Sequence, residues 1–435
     1  IMNKSLYIVA FSLAFATTGI AQNNEGQDKT VDLGTQTTTE LRKTQAVSTI
    51  YSDELDKNAT TSPYNAIYGL LPGLTVMQNT SWGTDKSRLN VRGRGSLNGD
   101  TPLFVVDGFA RPIEYINLSE IESISVLKDG AATALWGGRG ANGVVLITTK
   151  RGMYSKKEIK VDYKFGLGLP VNQPEFADAY TYAKARNEAL RYDGLQPDMD
   201  EASFLAGGNR DLYPNVDWQK EALRNHTTSH QLDITFRGGG KRLRYFSVLN
   251  YKNDMGLLNS KYTDYTDRYN SQMKKYFLNL RMNLDVDITD ATKLKLNMLG
   301  MLRETKRPTT SEATLFEQIF NTPSAAFPVQ TQNGLWGSNN VLKTNPIANL
   351  ADVGYYKLNQ RMLQADLRLI QDLSVLTRGL SAELAIAYDN NATYQETAKK
   401  SFMYQTIEKG TDGEPVYTNY GNPNDELEIS NKGLA

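Results

Sequence analysis

The sequence contains no cysteine and only two histidines, His226 and His230. Without cysteine the chain has no disulfide, no thiolate metal site and no cysteine nucleophile. The two histidines lie where a polar segment enters a strand pattern, and this position favours two solvated imidazoles over a two-ligand metal site. We therefore expect no metal ion and no cofactor.

The sequence also has no excess charge, because 48 basic residues balance 48 acidic residues in a chain of 435. This balance gives no field that would steer nucleic acid or an acidic substrate, so we expect no nucleic-acid partner. No paired carboxylates, Ser-His-Asp set or metal cluster rises above chance in the sequence. We therefore expect that the protein is not an enzyme.

Apolar runs are short, and the clearest one lies near the start of the chain. Residues 1–21 combine Lys4, an apolar core at 6–15 and small residues at 19 and 21, which is the pattern of a cleaved signal peptide. The apolar core is too short for a transmembrane helix, and polar residues follow it. These features predict an exported protein.

Residues 22–45 form a polar arm without periodicity, and we expect this arm to be flexible. It contains one short alternating segment that could add itself as a strand to the sheet of a partner. The same residues also suit a leader that simply precedes the next domain. The segment comprises Val31, Asp32, Leu33, Gly34 and Thr35.

Residues 46–152 read as a small α+β domain. Three β-type runs at 102–107, 121–128 and 143–150 are bounded by Gly, Asn, Asp or Pro, and a short helix with a glycine corner separates the last two. The glycine loops match neither the dinucleotide fingerprint nor a P-loop, so a nucleotide site is not indicated.

After residue 152 the sequence changes to long segments in which apolar and polar residues alternate strictly. Short turns and long polar loops connect these segments in turn, which is typical of an outer-membrane β-barrel. A soluble β-sandwich also alternates, but its strands are usually about 5 to 6 residues long. We predict seven strands, at 159–167, 230–236, 243–251, 276–288, 294–302, 363–369 and 380–388. We also predict loop helices within 174–190 and 309–321.

Four motifs in the region 91–150 together resemble the plug domain of SusC/RagA-like TonB-dependent outer-membrane transporters. They read VRGRGS at 91–96, PLFVVDG at 102–108, IESISVLKD at 121–129 and GANGVVLITTK at 140–150. The plug residues singled out by this resemblance are Gly93, Gly95, Asp107, Gly108, Lys128, Asp129, Gly137, Asn142 and Gly143.

This resemblance implies an α+β plug domain at 46–152, followed at 153–435 by the first antiparallel strands of a 22-stranded transmembrane β-barrel. It implies TonB-dependent import of a bulky nutrient, a glycan or an oligopeptide, across the outer membrane. The implied partners are TonB, a SusD-like surface lipoprotein and outer-membrane lipid. The segment from Val31 to Thr35 occupies the TonB-box position, although Asp32 departs from the valine-rich pattern of the family.

The resemblance also assigns roles to two arginines. Arg92 and Arg139 match the arginines that family plugs press against carboxylates of the barrel, and solvated arginines facing the lumen are the alternative. Seven strands cannot close around a plug, so we expect the sequence to be the N-terminal part of a chain of about a thousand residues.

Two other functions remain compatible with the sequence. One is an outer-membrane receptor or adhesin that binds a ligand without transporting it, and the other is a secreted β-sandwich binding module. The aromatic residues of the long loops could stack on sugars or contact a lid protein, but packing within the loops explains them equally well. These residues include Tyr213, Trp218, Trp336, Tyr355 and Tyr356.

Overall fold

The fold combines a small plug and a broad sheet of long strands. The computed structural model describes residues 11–14, 30–33, 37–39, 43–57, 60, 62–78, 87–95, 99–154, 157–423 and 425–434. Within these ranges no helix is both long enough and apolar enough to span a membrane.

The strands, in chain order, are β1 (Phe11–Ala14), β2 (Thr30–Asp32), β3 (Thr37–Thr39), β4 (Val47–Tyr51), β5 (Leu74–Met77), β6 (Arg88–Val91), β7 (Leu103–Val106), β8 (Phe109–Ala110), β9 (Ile121–Leu127), β10 (Val144–Thr149), β11 (Glu158–Gly168), β12 (Thr227–Gly239), β13 (Leu243–Met255), β14 (Lys274–Asp287), β15 (Thr292–Pro308), β16 (Trp336–Ser338), β17 (Gly354–Asp372), β18 (Ser381–Lys399), β19 (Tyr404–Lys409), β20 (Pro415–Tyr420) and β21 (Glu428–Leu434).

The α-helices are α1 (Ser52–Leu55), α2 (Pro63–Ala66), α3 (Gly130–Thr133), α4 (Ala179–Tyr192), α5 (Glu201–Ala206), α6 (Trp218–Ala222), α7 (Ser260–Thr263), α8 (Glu312–Asn321) and α9 (Pro346–Ala351). Short 3-10 helices span Ile113–Tyr115, Leu118–Glu120 and Ala134–Gly140.

The plug is built on a five-stranded sheet in the order β4-β9-β10-β7-β8. Strands β10 and β7 are parallel, and the other pairs are antiparallel. Both faces of this sheet are covered, which explains why β7 and the first part of β10 read as continuous apolar runs. Val145 and Ile147 of β10 face a core shared with the plug helices, whereas Val144 and Leu146 face a second core.

Two glycines of the plug motifs are required by the backbone. Asp107 and Gly108 both have positive φ, 47° and 87°, and form a two-residue turn of the type I′ kind between β7 and β8. Gly143 has a φ of 87°, and a Cβ at this position would lie 2.8 Å from the Cβ of Val91. The Asp-Gly and Asn-Gly pairs therefore serve the fold of the plug.

The second large element is a nine-stranded sheet, which we call the wall, in the order β1-β11-β12-β13-β14-β15-β17-β18-β21. Every neighbouring pair is antiparallel. The wall strands β11 to β15, β17 and β18 are 11 to 19 residues long, far longer than typical sandwich strands. The predicted antiparallel barrel-type sheet after the plug is therefore confirmed.

The wall differs from the prediction in its extent. Strands β17 and β18 each have 19 residues and extend beyond the predicted segments 363–369 and 380–388. Their halves nearest the long loops were not predicted, because these halves are polar and do not show the alternation that defined the segments. Strand β21 was not predicted, since EISNKGL lacks an alternating apolar face. Strand β1 lies within the predicted signal peptide and pairs with β11. Cleavage of that peptide stays a prediction.

The connections of the wall alternate between two ends. Residues 240–242, 288–291 and 373–380 form short links at one end, and the long segments 169–226, 256–273, 309–353 and 400–427 lie at the other. The long segments share their own apolar core, which contains Trp218, Leu258, Phe327, Trp336 and Ile347. Helix α8 lies within the predicted segment 309–321, whereas α4 overlaps the predicted segment 174–190 and ends two residues beyond it.

The packing around Gly143 leads to a test of the plug core. We expect Gly143→Ala to destabilise the plug by about 2 to 4 kcal/mol, because alanine is strained at this φ and its methyl group overlaps Val91. Hydrogen exchange of the β9 and β10 amides would measure the loss. Gly138→Ala is the matched control, since its methyl group would have no neighbour within 4 Å. Equal exchange in both variants would contradict the assignment.

Candidate functional site at the contact of plug and wall

The two faces of the wall differ in polarity, and the polar face contacts the plug. On β14 the residues Asn279, Arg281 and Asn283 are buried against the plug, while the neighbouring Leu278 and Leu280 are exposed. Alternation along a strand places these two sets on opposite faces. The contact between plug and wall is therefore polar, and each buried charge in it needs a partner.

The most deeply buried ion pair joins Glu120 of the plug to Arg281 of β14. Nε of Arg281 lies 2.5 Å from Oε2 of Glu120, and the side chains are 2% and 0% exposed. The other carboxylate oxygen accepts hydrogen bonds from Asn279 Nδ2 at 2.5 Å and from the backbone N–H of Asn117 at 3.2 Å. Burial raises the pKa of the Glu120 carboxyl, and the guanidinium of Arg281 opposes this rise.

A cluster of amide groups around one carboxylate extends this contact to β12 and β13. Asn117 Nδ2 donates to Oδ1 of Asp233 at 2.7 Å, and Gln231 donates to Oδ2 of the same carboxylate at 2.7 Å. Asn250 also donates to Asp233. Amide groups therefore surround the Asp233 carboxylate, and one of them belongs to the plug.

A second charged contact is centred on Arg111, which follows β8. Its Nη1 lies 2.6 Å from Oδ2 of Asp366 on β17, and its Nη2 lies 2.7 Å from Oδ1 of Asp389 on β18. Arg111 and Asp366 are almost fully buried, whereas Asp389 is partly exposed. Asn297 donates to the second oxygen of Asp366 at 2.7 Å. One plug arginine thus joins two wall strands.

The Asp107-Gly108 turn is a third contact. Nη2 of Arg368 on β17 donates to the carbonyl oxygen of Asp107 at 2.5 Å, and Nη1 lies 2.7 Å from Glu383 on β18. The Asp107 carboxylate accepts hydrogen bonds from the N–H and hydroxyl of Thr149. A Cβ on Gly108 would lie 2.0 Å from Arg368, so the glycine lets this arginine reach the turn.

The two arginines chosen by resemblance lie elsewhere. Arg92 and Arg139 are exposed, and no hydrogen bond or ion pair joins either of them to a described strand of the wall. Arg92 has a φ of 57° and adds to the electrostatic field that lowers the pKa of Asp129. Their contact with barrel carboxylates stays a prediction. Sequence reasoning missed Arg111 and Glu120, whose only local signals are the Asp-Gly turn and the Asn-x-x-Glu capping box.

The other motif residues hold the plug together. Lys128 Nζ donates to Ser48 at 2.5 Å, and Asn142 Nδ2 donates to the carbonyl of Gly99 at 3.1 Å. Asp129 caps α3 and accepts a hydrogen bond from the N–H of Ala46. These backbone hydrogen bonds lower the pKa of the Asp129 carboxyl. The remaining motif glycines Gly93, Gly95 and Gly137 lie on the exposed surface of the plug.

The TonB-box-like segment is partly described. Strand β2 pairs with β3, and the side chains of Val31 and Leu33 are buried, with 0% and 6% exposure, in the second core of the plug. Their neighbours there include Val47 and Leu127. Gly34 and Thr35 lie outside the described residues, as does the side chain of Asp32.

Two loop tryptophans for which ligand contact and loop packing were alternatives are buried by packing within the loops. Trp218 and Trp336 are each 3% exposed, and their Nε1 atoms donate to the Pro323 carbonyl at 3.0 Å and to Asp352 at 3.1 Å. Among the described side chains, no group of His, Cys, Asp and Glu could hold a metal ion. His230 instead lies 2.7 Å from the hydroxyl of Tyr163.

The Arg111 contact yields a test of plug retention. We expect Arg111→Gln to weaken the attachment of the plug by about 3 to 5 kcal/mol, because Asp366 would stay buried without its counter-ion. Entry of a large hydrophilic antibiotic into cells that produce the variant would measure the loosened plug. Arg94→Gln is the control, since Arg94 pairs with Asp100 within the plug. Equal antibiotic sensitivity of the two variants would contradict the role of Arg111.

Comparisons with known proteins agree with this arrangement. Residues 39–144 match the family described as TonB-dependent Receptor Plug Domain. The TonB-dependent receptor P26 of Formosa agariphila is 28% identical over 281 residues, which cover 63% of this chain and 26% of that protein. The TonB-dependent receptor SusC of Bacteroides thetaiotaomicron is 30% identical over 255 residues, covering 55% of this chain and 24% of SusC. The matched part of the chain thus covers about a quarter of the length of these relatives.

Solved structures show the same fold. The RagAB peptide importer in its open-open state aligns with a TM-score of 0.69 at 20% identity, over 85% of this chain and 43% of that chain. Its closed-closed state aligns with a TM-score of 0.66. Together with the plug match and the SusC relative, these structures confirm the resemblance drawn from the plug motifs: the chain is similar to SusC/RagA-like TonB-dependent receptors in its plug domain and in the antiparallel strands that follow it.

Proposed function

We propose that the protein imports a bulky nutrient across the outer membrane, driven by TonB, together with a SusD-like surface lipoprotein. In this proposal the chain is exported through its signal peptide and inserted in the outer membrane. The observation that carries the proposal is the plug itself, which is attached by buried charges to the polar face of a sheet whose opposite face is apolar.

The chemistry of the contact suits an obstruction that must be held and yet released. If the contact were apolar, every movement of the plug would expose apolar surface of the plug and the wall to water, which is unfavourable. Ion pairs and amide hydrogen bonds, such as Glu120 with Arg281 and Asn117 with Asp233, can exchange their partners for water. A polar contact therefore supports a gating role better than a permanently fused core.

The segment around Val31 is the proposed binding segment for TonB. A short strand can pair with the sheet edge of a partner through its backbone N–H and C=O groups. In this chain β2 already pairs with β3, and Val31 and Leu33 are buried in the plug. TonB would thus compete with contacts inside the chain for this segment.

The ligand class stays open between glycans and oligopeptides. RagAB is a peptide importer, and at about 20% identity its structures share the fold of this chain. The long segments at one end of the wall form a packed layer, and we propose that this layer carries the contacts with the SusD-like lipoprotein and the ligand.

Energy dependence tests the proposal. We expect loss of TonB to abolish uptake of labelled oligosaccharides or oligopeptides while their binding to the cell surface persists. Equal uptake with and without TonB would contradict import by this route. Surface binding without any uptake in cells that contain TonB would instead establish the receptor or adhesin.

A matched pair of variants tests the proposed TonB-binding segment. Val31→Pro removes the backbone N–H that strand pairing needs, whereas Val31→Ala keeps it, and both lose the packing of the valine. We expect at least a tenfold fall in uptake for Val31→Pro relative to Val31→Ala, at equal amounts in the outer membrane. Equal uptake by the two variants would place the TonB contact elsewhere.

A further inference from the structure

The face of the wall that points away from the plug carries an apolar belt. Paired positions on neighbouring strands fill it, as in the row of Leu280, Gly300 and Leu363 and the row of Leu284, Leu296 and Leu367. Leu280 and Leu363 are about half exposed. A belt of this kind matches the lipid-facing band of a membrane barrel.

Three lysines lie in one row above this belt, toward the long loops. Lys274 is paired in register with Lys306, and Lys306 with Lys357, so the three side chains project from adjacent strands on the outer face. All three strands are internal to the wall. Like charges placed directly opposite one another are unfavourable unless an anion lies between them.

The protein's own carboxylates only partly meet this need. Glu304, one row nearer the belt, lies 3.2 Å from both Lys306 and Lys357. Glu396 is paired in register with Lys357 and accepts a hydrogen bond from Tyr355. Within the described part of the chain, Lys274 has no ion pair.

A fourth cation lies below the lysines, at the upper border of the belt. Arg361 is paired in register with Leu302 on one side and Ala392 on the other, and it is exposed. No hydrogen bond or ion pair joins its guanidinium to a described residue. An arginine that faces lipid needs an anion or water at the level of the headgroups.

The row between the two levels marks that headgroup zone. It contains Tyr276, Glu304 and Asn359, which are paired in register, and Tyr394 next to Asn359. Tyrosine is enriched where a membrane protein passes from hydrocarbon to water. Four cations and two carboxylates therefore surround a polar zone just above an apolar belt.

We propose that this outer basic patch, formed by Lys274, Lys306, Lys357 and Arg361, binds the phosphate of an anionic lipid headgroup. The acyl chains would then lie along the apolar belt below it, with Arg361 at the level where chains and headgroup join. The inference rests on the proposed outer-membrane location, but it does not depend on what the protein transports.

Lipid binding to the protein purified from outer membranes in a neutral detergent tests the proposal. Native mass spectrometry would compare short-chain phosphatidic acid, phosphatidylcholine with the same chains, and inorganic phosphate as a competitor. We expect phosphatidic acid to bind at least about tenfold more tightly than phosphatidylcholine, because it carries a net negative charge. Equal binding of the two lipids, or full displacement by millimolar inorganic phosphate, would overturn a lipid site.

Charge variants locate the site. The triple variant Lys274→Gln, Lys306→Gln, Lys357→Gln is expected to bind phosphatidic acid at least about tenfold more weakly. The matched triple Lys184→Gln, Lys241→Gln, Lys343→Gln removes the same charge from exposed positions outside the wall strands and should bind like the parent. An equal loss in both triples would overturn the site, since it would reflect net charge alone.

Two single variants keep the test independent of folding. Lys274→Gln breaks no described ion pair, and we expect it to weaken phosphatidic acid binding by roughly threefold. Glu304→Gln removes the competing carboxylate and should strengthen binding, whereas a purely structural ion-pair network would give no gain. A protein that binds the lipid but fails TonB-dependent uptake would contradict the proposed transport and leave this site standing.

Discussion

A buried charge must have a partner, and this requirement determines how the plug lies against the wall. Glu120 and Arg281 have almost no exposed surface, so neither could lose the other without a large free-energy cost while it stays buried. Arg111 places the same requirement on β17 and β18 through Asp366 and Asp389. Because these contacts reach different strands, they fix the orientation of the plug as well as its position.

The same requirement explains why the two faces of one strand look so different. Toward the plug, β14 presents two amides and an arginine, each of which donates a hydrogen bond to a plug residue. On the other face it presents leucines that need no specific partner. A sequence with a period of two residues therefore encodes two faces of one strand, a polar face with specific partners and an apolar face that needs none.

That period is also why much of the fold was predictable. Strict alternation over 276–288 marks a strand regardless of its neighbours, and the plug motifs mark the domain that precedes it. Which charges meet was not predictable, because Arg111 and Asp366 are 255 positions apart along the chain. Sequence reasoning chose Arg92 by resemblance, whereas register and strand order bring Arg111 to the described wall. The ends of strands such as β18 were not predicted, because the halves of these strands nearest the long loops are polar.

The burial of Val31 and Leu33 has a mechanical consequence. Val47, where β4 begins, lies 14 positions after Leu33. Fully extended, a segment of that length reaches about 50 Å. Once those two side chains leave their core, a partner could pull the segment out over up to that distance before the force acted on the sheet of the plug. Binding of the partner to this segment would therefore precede any deformation of the plug domain.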